Sequence, residues 1–280
     1  MENWVRVTLP SLGQYYGDKV PEGFVEITPW TTAQEEQMVI HGSQSAKDRA
    51  KLIENLISSN VRLPEGFKYE ELLSADQFFL LTRLRALSLT PHYSIDFTCP
   101  SKTCKKTTEM AFDLDALEVK TPEPDETEPF SVKLPRSGVT VSVRLMRVKD
   151  ENALTNYRIQ QEELGIPDAK ERAYRYKLAR QLDAVNGQSL KFDEKVDFIR
   201  SLVLIDLQVY KSIFTKHDVG VNMEARAACP HCGFSVPDFD VPIQLCFFNP
   251  KQSDIDAAIR EAEGNRGGND LPRVEELHVD

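Results

Sequence analysis

Of the five cysteines in the chain, four stand in two close pairs, Cys99 and Cys104 in "CPSKTC" and Cys229 and Cys232 in "CPHC". A thiolate is a nucleophile and a soft metal ligand. Two cysteines separated by two to four residues can offer both sulfurs from one tight turn, and two such knuckles complete the tetrahedral four-thiolate shell that zinc prefers. The 124 residues between Cys104 and Cys229 far exceed the roughly 15–20 of a simple ribbon. Two hairpins, distant in the chain, must therefore meet at their tips around a long insertion. Two other readings stay open: free structural thiols, and a redox "CPHC" pair, although the latter calls for a βαβ context that the flanking residues do not supply. Disulfides within the pairs conflict with a reducing compartment. His231 reads as an outer residue, since four cysteines suffice, and Cys246 in "QLCFF" as a small core hydrophobe. A closed shell on Cys99, Cys104, Cys229 and Cys232 has no position for water or substrate, so zinc there would hold structure and not catalyse.

No second chemistry is visible. The sequence has no glycine-rich phosphate loop, no His-Glu-x-x-His pattern and no nucleophile elbow, and its five histidines fall in no recognisable arrangement with a serine or cysteine and an acid. An enzyme is not expected. Lys102, Lys105 and Lys106 rim the first knuckle and could touch phosphate, but a net charge of −10 opposes general attraction to nucleic acid. Protein partners are the expectation, with no small-molecule substrate. No run of eighteen apolar residues is present to span a membrane. The opening "MENWVRVTLP" lacks the basic, apolar, small-residue order of an export signal, which points to a reducing cytoplasm as the first compartment.

The elements that must position the cysteines follow from periodicity. Residues 1–30 form an arm and a short strand, and residues 31–92 a helical unit with capping pairs expected at Thr32 with Glu35 and at Ser74 with Gln77. Apolar stripes run through Ala46, Ala50, Ile53 and Ile57, with Leu52 and Leu56, and through Leu81, Leu84 and Leu87. From Tyr93 the period falls to two. Residues 93–149 hold a hairpin with the first knuckle at its tip and a second hairpin around "PRSG". Between them lies "DLDALEVKTPEPDETEP", whose seven acids and three prolines read as an exposed linker without chemistry. Residues 150–217 return to helical period as an inserted segment. Residues 218–250 carry the second knuckle and closing strands, and residues 251–280, with eight acids and four bases, read as an acidic tail unable to order alone. The fold class is α+β: an N-terminal arm and helical unit, β-hairpins carrying a four-cysteine zinc-ribbon-like site, and an inserted helical segment.

"LPSLGQYY", then "VEITPWTTAQEE", then a leucine-rich unit ending in "LLTRLRALSLTPHYSIDFTCPSKTC", then "FDLDAL" resembles the N-terminal half of the baseplate hub proteins of T-even-type contractile-tailed phages. Leu9, Pro10, Ser11, Gly13, Tyr16, Thr32, Glu35, Glu36, Cys99 and Cys104 match its pattern. The C-terminal half, with its "GV" turn, Cys-Pro-x-Cys-Gly knuckle and closing Phe-Phe-x-Pro, resembles a recurring phage-tail pattern. Departures are the four residues within the first knuckle, where two are commoner, the acidic linker and the tail. The resemblance implies a structural or assembly subunit of the tail baseplate hub, built in the host cytoplasm, carried in the virion and bound to other baseplate proteins. An assembly chaperone that leaves the finished virion and a zinc-ribbon nucleic-acid binder are the alternatives. It also gives the arm a role: Leu9, Pro10, Leu12, Tyr15 and Tyr16 are expected to anchor on a partner, the rival expectation being that they pack on the chain's own helices.

Overall fold

Apolar alternation in the first residues pairs β1 (Val5–Thr8) antiparallel with β2 (Phe24–Ile27), and β3 (Val61–Arg62) joins the other edge of β2. The computed structural model describes residues 4–41, 45–243 and 247–263. Between β2 and β3 run α1 (Thr32–His41) and α2 (Ala46–Asn60). The cap of α1 sits one residue earlier than Thr32 with Glu35: Gln34 Oε1 accepts from the Thr31 backbone N–H at 2.6 Å and from its hydroxyl at 2.8 Å. Ser45 and Asp48 form a reciprocal capping box on α2, and its Leu52, Leu56 and Ile57 are buried along the expected stripe.

Helix α3 (Ser74–Ser88) lies between two cores and is apolar on more than one side. Phe79, Leu80 and Leu84 enter the larger core and Leu81 the smaller, while Leu87 is exposed. The one-sided stripe through Leu81, Leu84 and Leu87 is thus corrected, because a helix covered from two directions has no single face. Ser74 does not cap it either. Leu73 is the N-cap residue, and the Gln77 amide donates instead to the Tyr69 hydroxyl.

The first cysteine hairpin follows as β4 (His92–Thr98) and β5 (Thr107–Asp113), with Tyr93 opposite Phe112 and Ile95 opposite Met110. Beyond it, β6 (Val119–Lys120) pairs with β11 (Gly220–Val221), and the second hairpin forms from β7 (Phe130–Lys133) and β8 (Thr140–Val143). The acidic linker is not idle. Glu126 accepts from the Tyr15 hydroxyl at 2.8 Å and lies 2.7 Å from His217 Nδ1, and Glu128 pairs with Arg147 at 2.7 Å.

The insertion comprises α4 (Val148–Glu163), α5 (Ala169–Gln181), α6 (Phe192–Ser201) and α7 (Leu204–Lys216). It is not wholly helical. At "VNGQS", β9 (Leu182–Val185) and β10 (Gln188–Ser189) turn through Asn186 and Gly187, both at positive φ, and β9 pairs with β8 to give the sheet order β10-β9-β8-β7.

The second cysteine hairpin is β12 (Glu224–Ala228) with β13 (Ser235–Asp240). After it, α8 (Gln252–Ala262) forms where the sequence suggests only an unordered acidic tail. The acids explain the difference. Asp254 accepts the Lys251 backbone N–H at 3.2 Å and lies 3.4 Å from the buried Arg85 guanidinium, and Glu261 reaches His92 at 2.8 Å. Residues 264–280 and Cys246 lie outside the described residues.

The arm requires the clearest correction. Leu9, Pro10, Tyr15 and Tyr16 are buried in the chain's own larger core or against it, and only Leu12, 37% exposed, reaches the surface. Gly13 has φ 77°, and a Cβ there would stand 2.1 Å from the Val20 carbonyl oxygen, so the turn closes only with glycine. Asp76 then gathers the arm: its carboxylate accepts from the Ser11 N–H at 3.0 Å and from the Ser11 and Tyr16 hydroxyls at 2.5 Å each. Tyr16 accepts in turn from the Leu73 N–H at 2.8 Å. The expected docking anchors are a staple between the first strand and the start of α3.

Candidate metal centre

Both hairpins bring their cysteines to a tip, by different routes. In the first, the Cys99 N–H donates to the Lys106 carbonyl at 3.0 Å, and the Cys104 and Lys105 N–H groups donate back to Ser101. In the second, the Cys229 N–H donates to the Phe234 carbonyl at 3.0 Å and the Gly233 N–H to the Cys229 carbonyl at 2.8 Å. In each, the residue after the second cysteine is left-handed, Gly233 at φ 70° and Lys105 at φ 50°. Glycine takes this conformation freely, whereas lysine does so at a cost.

The four sulfurs converge. All lie within 4.8 Å of one another, with Cys99 3.7 Å from Cys232 and Cys104 3.8 Å from Cys229. A tetrahedral zinc–thiolate shell with bonds of about 2.3 Å has edges of about 3.8 Å, so the two shortest separations match edges of such a shell and all four sulfurs are close enough to share one ion. They far exceed a sulfur–sulfur bond of about 2.05 Å, and all four thiols are free. Cys99 and Cys229 are buried, Cys104 is half-buried and Cys232 is exposed, so the cluster is walled by hairpin residues on one side and open to solvent on the other.

The thiols are electrostatically unequal. Burial, reinforced by neighbouring thiols, pushes Cys99 up to about 12. Burial acts on Cys229 in the same direction but is outweighed by backbone hydrogen bonds at His231 and Cys232, which bring it down to about 7. Four sulfurs packed this closely cannot all carry charge without a cation among them. With a divalent ion they can, and the shell is then full.

The "CPHC" pair is followed by a strand of an antiparallel hairpin, not by a helix, so the helix N-terminus that activates a redox pair is missing from this site. His231 is exposed, as are Lys102, Lys105 and Lys106 around the rim. Sequence reasoning missed the polar residues that fix the hairpins from behind. Tyr93 donates its hydroxyl to the Pro242 carbonyl at 2.8 Å, Lys251 pairs with Asp96 at 2.6 Å, and Arg85 gathers the Thr90 and His92 carbonyls. Their signal in the sequence is faint, because each partner is remote from, or hidden within, an ordinary helix or strand pattern.

An α+β chain in which two antiparallel hairpins cross-connect a ribbon-like four-cysteine cluster defines a structural class more than a catalytic one. The chain belongs to the family described as T4 bacteriophage base plate protein, which matches residues 1–242, and is thus a phage baseplate protein. No curated protein matches it. No solved structure does either.

Proposed function

We propose that this chain is a non-enzymatic structural subunit of the baseplate hub, assembled in the host cytoplasm, whose two hairpins are locked together by one structural zinc ion. The supporting observation is the convergence of the Cys99, Cys104, Cys229 and Cys232 sulfurs to within 4.8 Å of one another in a member of a baseplate family. Zinc would supply the crosslink that a reducing cytoplasm denies to a disulfide. The hub position is supported by the resemblance of residues 9–117 to hub proteins. Mass spectrometry of purified tails tests the reading: the chain is expected at fixed stoichiometry in finished baseplates, and Cys104→Ser is expected to keep it out of them. A chain required for assembly but absent from finished tails would make it an assembly factor.

A further inference from the structure

Two surfaces outside the cysteine cluster are apolar, exposed and opposite in charge. One is a groove of about 470 Å³ between α5 and the α6–α7 junction, floored by Leu178, Ile199, Leu202 and Leu207 and walled by Tyr174. Its rim carries Lys170, Arg175 and Arg200 against the single acid Glu171, and Lys211 stands 5.8 Å from the Tyr174 ring. Among the described residues, none of these four cations has a carboxylate within ion-pair distance. Beside the groove, Val203, Leu204 and Ile205 are 49%, 71% and 55% exposed, three consecutive apolar residues with no cover.

The other surface is the outward face of α8. Gln252, Ile255, Asp256, Ile259 and Glu263 recur at the spacing of one helical stripe, and all are exposed, Ile255 by 39% and Ile259 by 49%. The opposite face is fixed, with Asp254 and Ala257 buried. The stripe therefore presents two isoleucines one turn apart with two acids along one flank, the form in which an amphipathic helix lies in an apolar groove. The groove offers apolar floor and basic rim, which is the complement.

We infer that the occupant is a second copy of this chain: α8 of one molecule seats Ile255 and Ile259 in the α5–α7 groove of the next, with Asp256 and Glu263 facing the rim cations. Two different patches meet in this contact, so each molecule keeps one free groove and one free helix. Repetition gives a closed ring or an open filament, not an isologous dimer. Isoleucines supply the apolar contact, and the charges set register and encounter rate and make association weaken with salt.

Sedimentation velocity of the full-length, metal-loaded chain over a concentration series tests this. Wild type is expected to associate beyond a dimer, less so at high salt. Lys170→Glu with Arg200→Glu, and separately Asp256→Lys with Glu263→Lys, should each weaken association by about tenfold or more. Mixing the two variants restores complementarity at both contacts and should restore association. All four positions are exposed, and unchanged melting curves verify that the variants fold; Ile259→Glu is a second probe of the helix stripe and should also yield a monomer. A wild-type chain that stays monomeric at all concentrations overturns the inference, as would variants that associate normally or a mixture that fails to reassemble.

Discussion

The larger core and the hairpin core treat buried aspartates differently. In the larger core, Asp76 accepts three hydrogen bonds, Asp150 accepts a bidentate pair from Arg144 at 2.6 and 2.9 Å, and Asp206 accepts the Arg136 and Ser137 N–H groups at 2.8 and 2.9 Å. In the hairpin core, Asp254 is fully buried yet meets Arg85 only at 3.4 Å, and its Oδ1 has no hydrogen-bond partner among the described residues. These three aspartates of the larger core are answered by its own donors. The hairpin core, the smaller of the two, is the one built around the four thiols. On the proposed function, metal affinity would substitute for core size in the smaller lobe.

The strongest way to break this comparison is to remove a thiol. Purified wild type should contain about one zinc per chain, and Cys104→Ser should abolish it and lower the melting of the hairpin core by more than about 10 °C, while the larger core persists. Metal analysis with calorimetry reads both, and full zinc retention in the variant would remove the metal from the account. Next in size is Asp150→Ala, which strips a buried bidentate partner and should cost about 3–5 kcal/mol at neutral pH. Burial alone would raise the Asp150 carboxyl, but the Arg144 guanidinium holds it below its ordinary value. A depressed acid stabilises the fold above its unfolded value, and that stability fades as pH falls from about 3.8 through the lower folded value. The gap between wild type and variant in urea titrations should therefore close across that acid window.

A smaller effect is expected in the arm. Tyr16→Phe removes the hydroxyl shared by Asp76 and the Leu73 N–H, and chemical denaturation should show a loss of about 1–3 kcal/mol. An unchanged midpoint would mean that the staple is not what orders residues 9–16. The smallest change sharpens the contrast between the knuckles. Lys105→Gly relieves a left-handed lysine and should stabilise the hairpin core by about 0.4–1 kcal/mol if the gain exceeds glycine's entropy in the unfolded chain. The reverse change, Gly233→Lys, should destabilise it by a similar or greater amount, which thermal melts of the zinc-loaded forms can resolve.

The cysteine hairpins were legible because a period of two and short thiol spacings are local signals, and each hairpin is completed within a few dozen residues. The insertion's two strands were not, because β9 borrows its pairing from β8, some forty residues earlier. The arm misled for a different reason. Leucine, proline and tyrosine make equally good interface anchors and core residues, and the arbiter, Asp76, lies sixty residues away inside an apparently ordinary helix. The acids of 251–263 read as a solvated tail because the Arg85 that Asp254 meets is 169 positions distant. At α1, Gln34 and Glu35 both fit a capping rule, and only geometry separates them. Composition says which groups need partners, and long-range closure decides who supplies them.

The separation of the two knuckles also sets a timetable. Cys104 and Cys232 are 128 positions apart, so at roughly 5–20 residues per second the ribosome takes about 6–26 s to deliver the second pair after the first. Throughout that interval the nascent chain exposes Cys99 and Cys104 as a half-complete chelate, and by its end the strands and helices of the larger core have all been made. With the proposed zinc in place, the last lobe to close would be the one whose closure waits on an ion, and metal supply as well as chain length would pace the arrival of finished subunits.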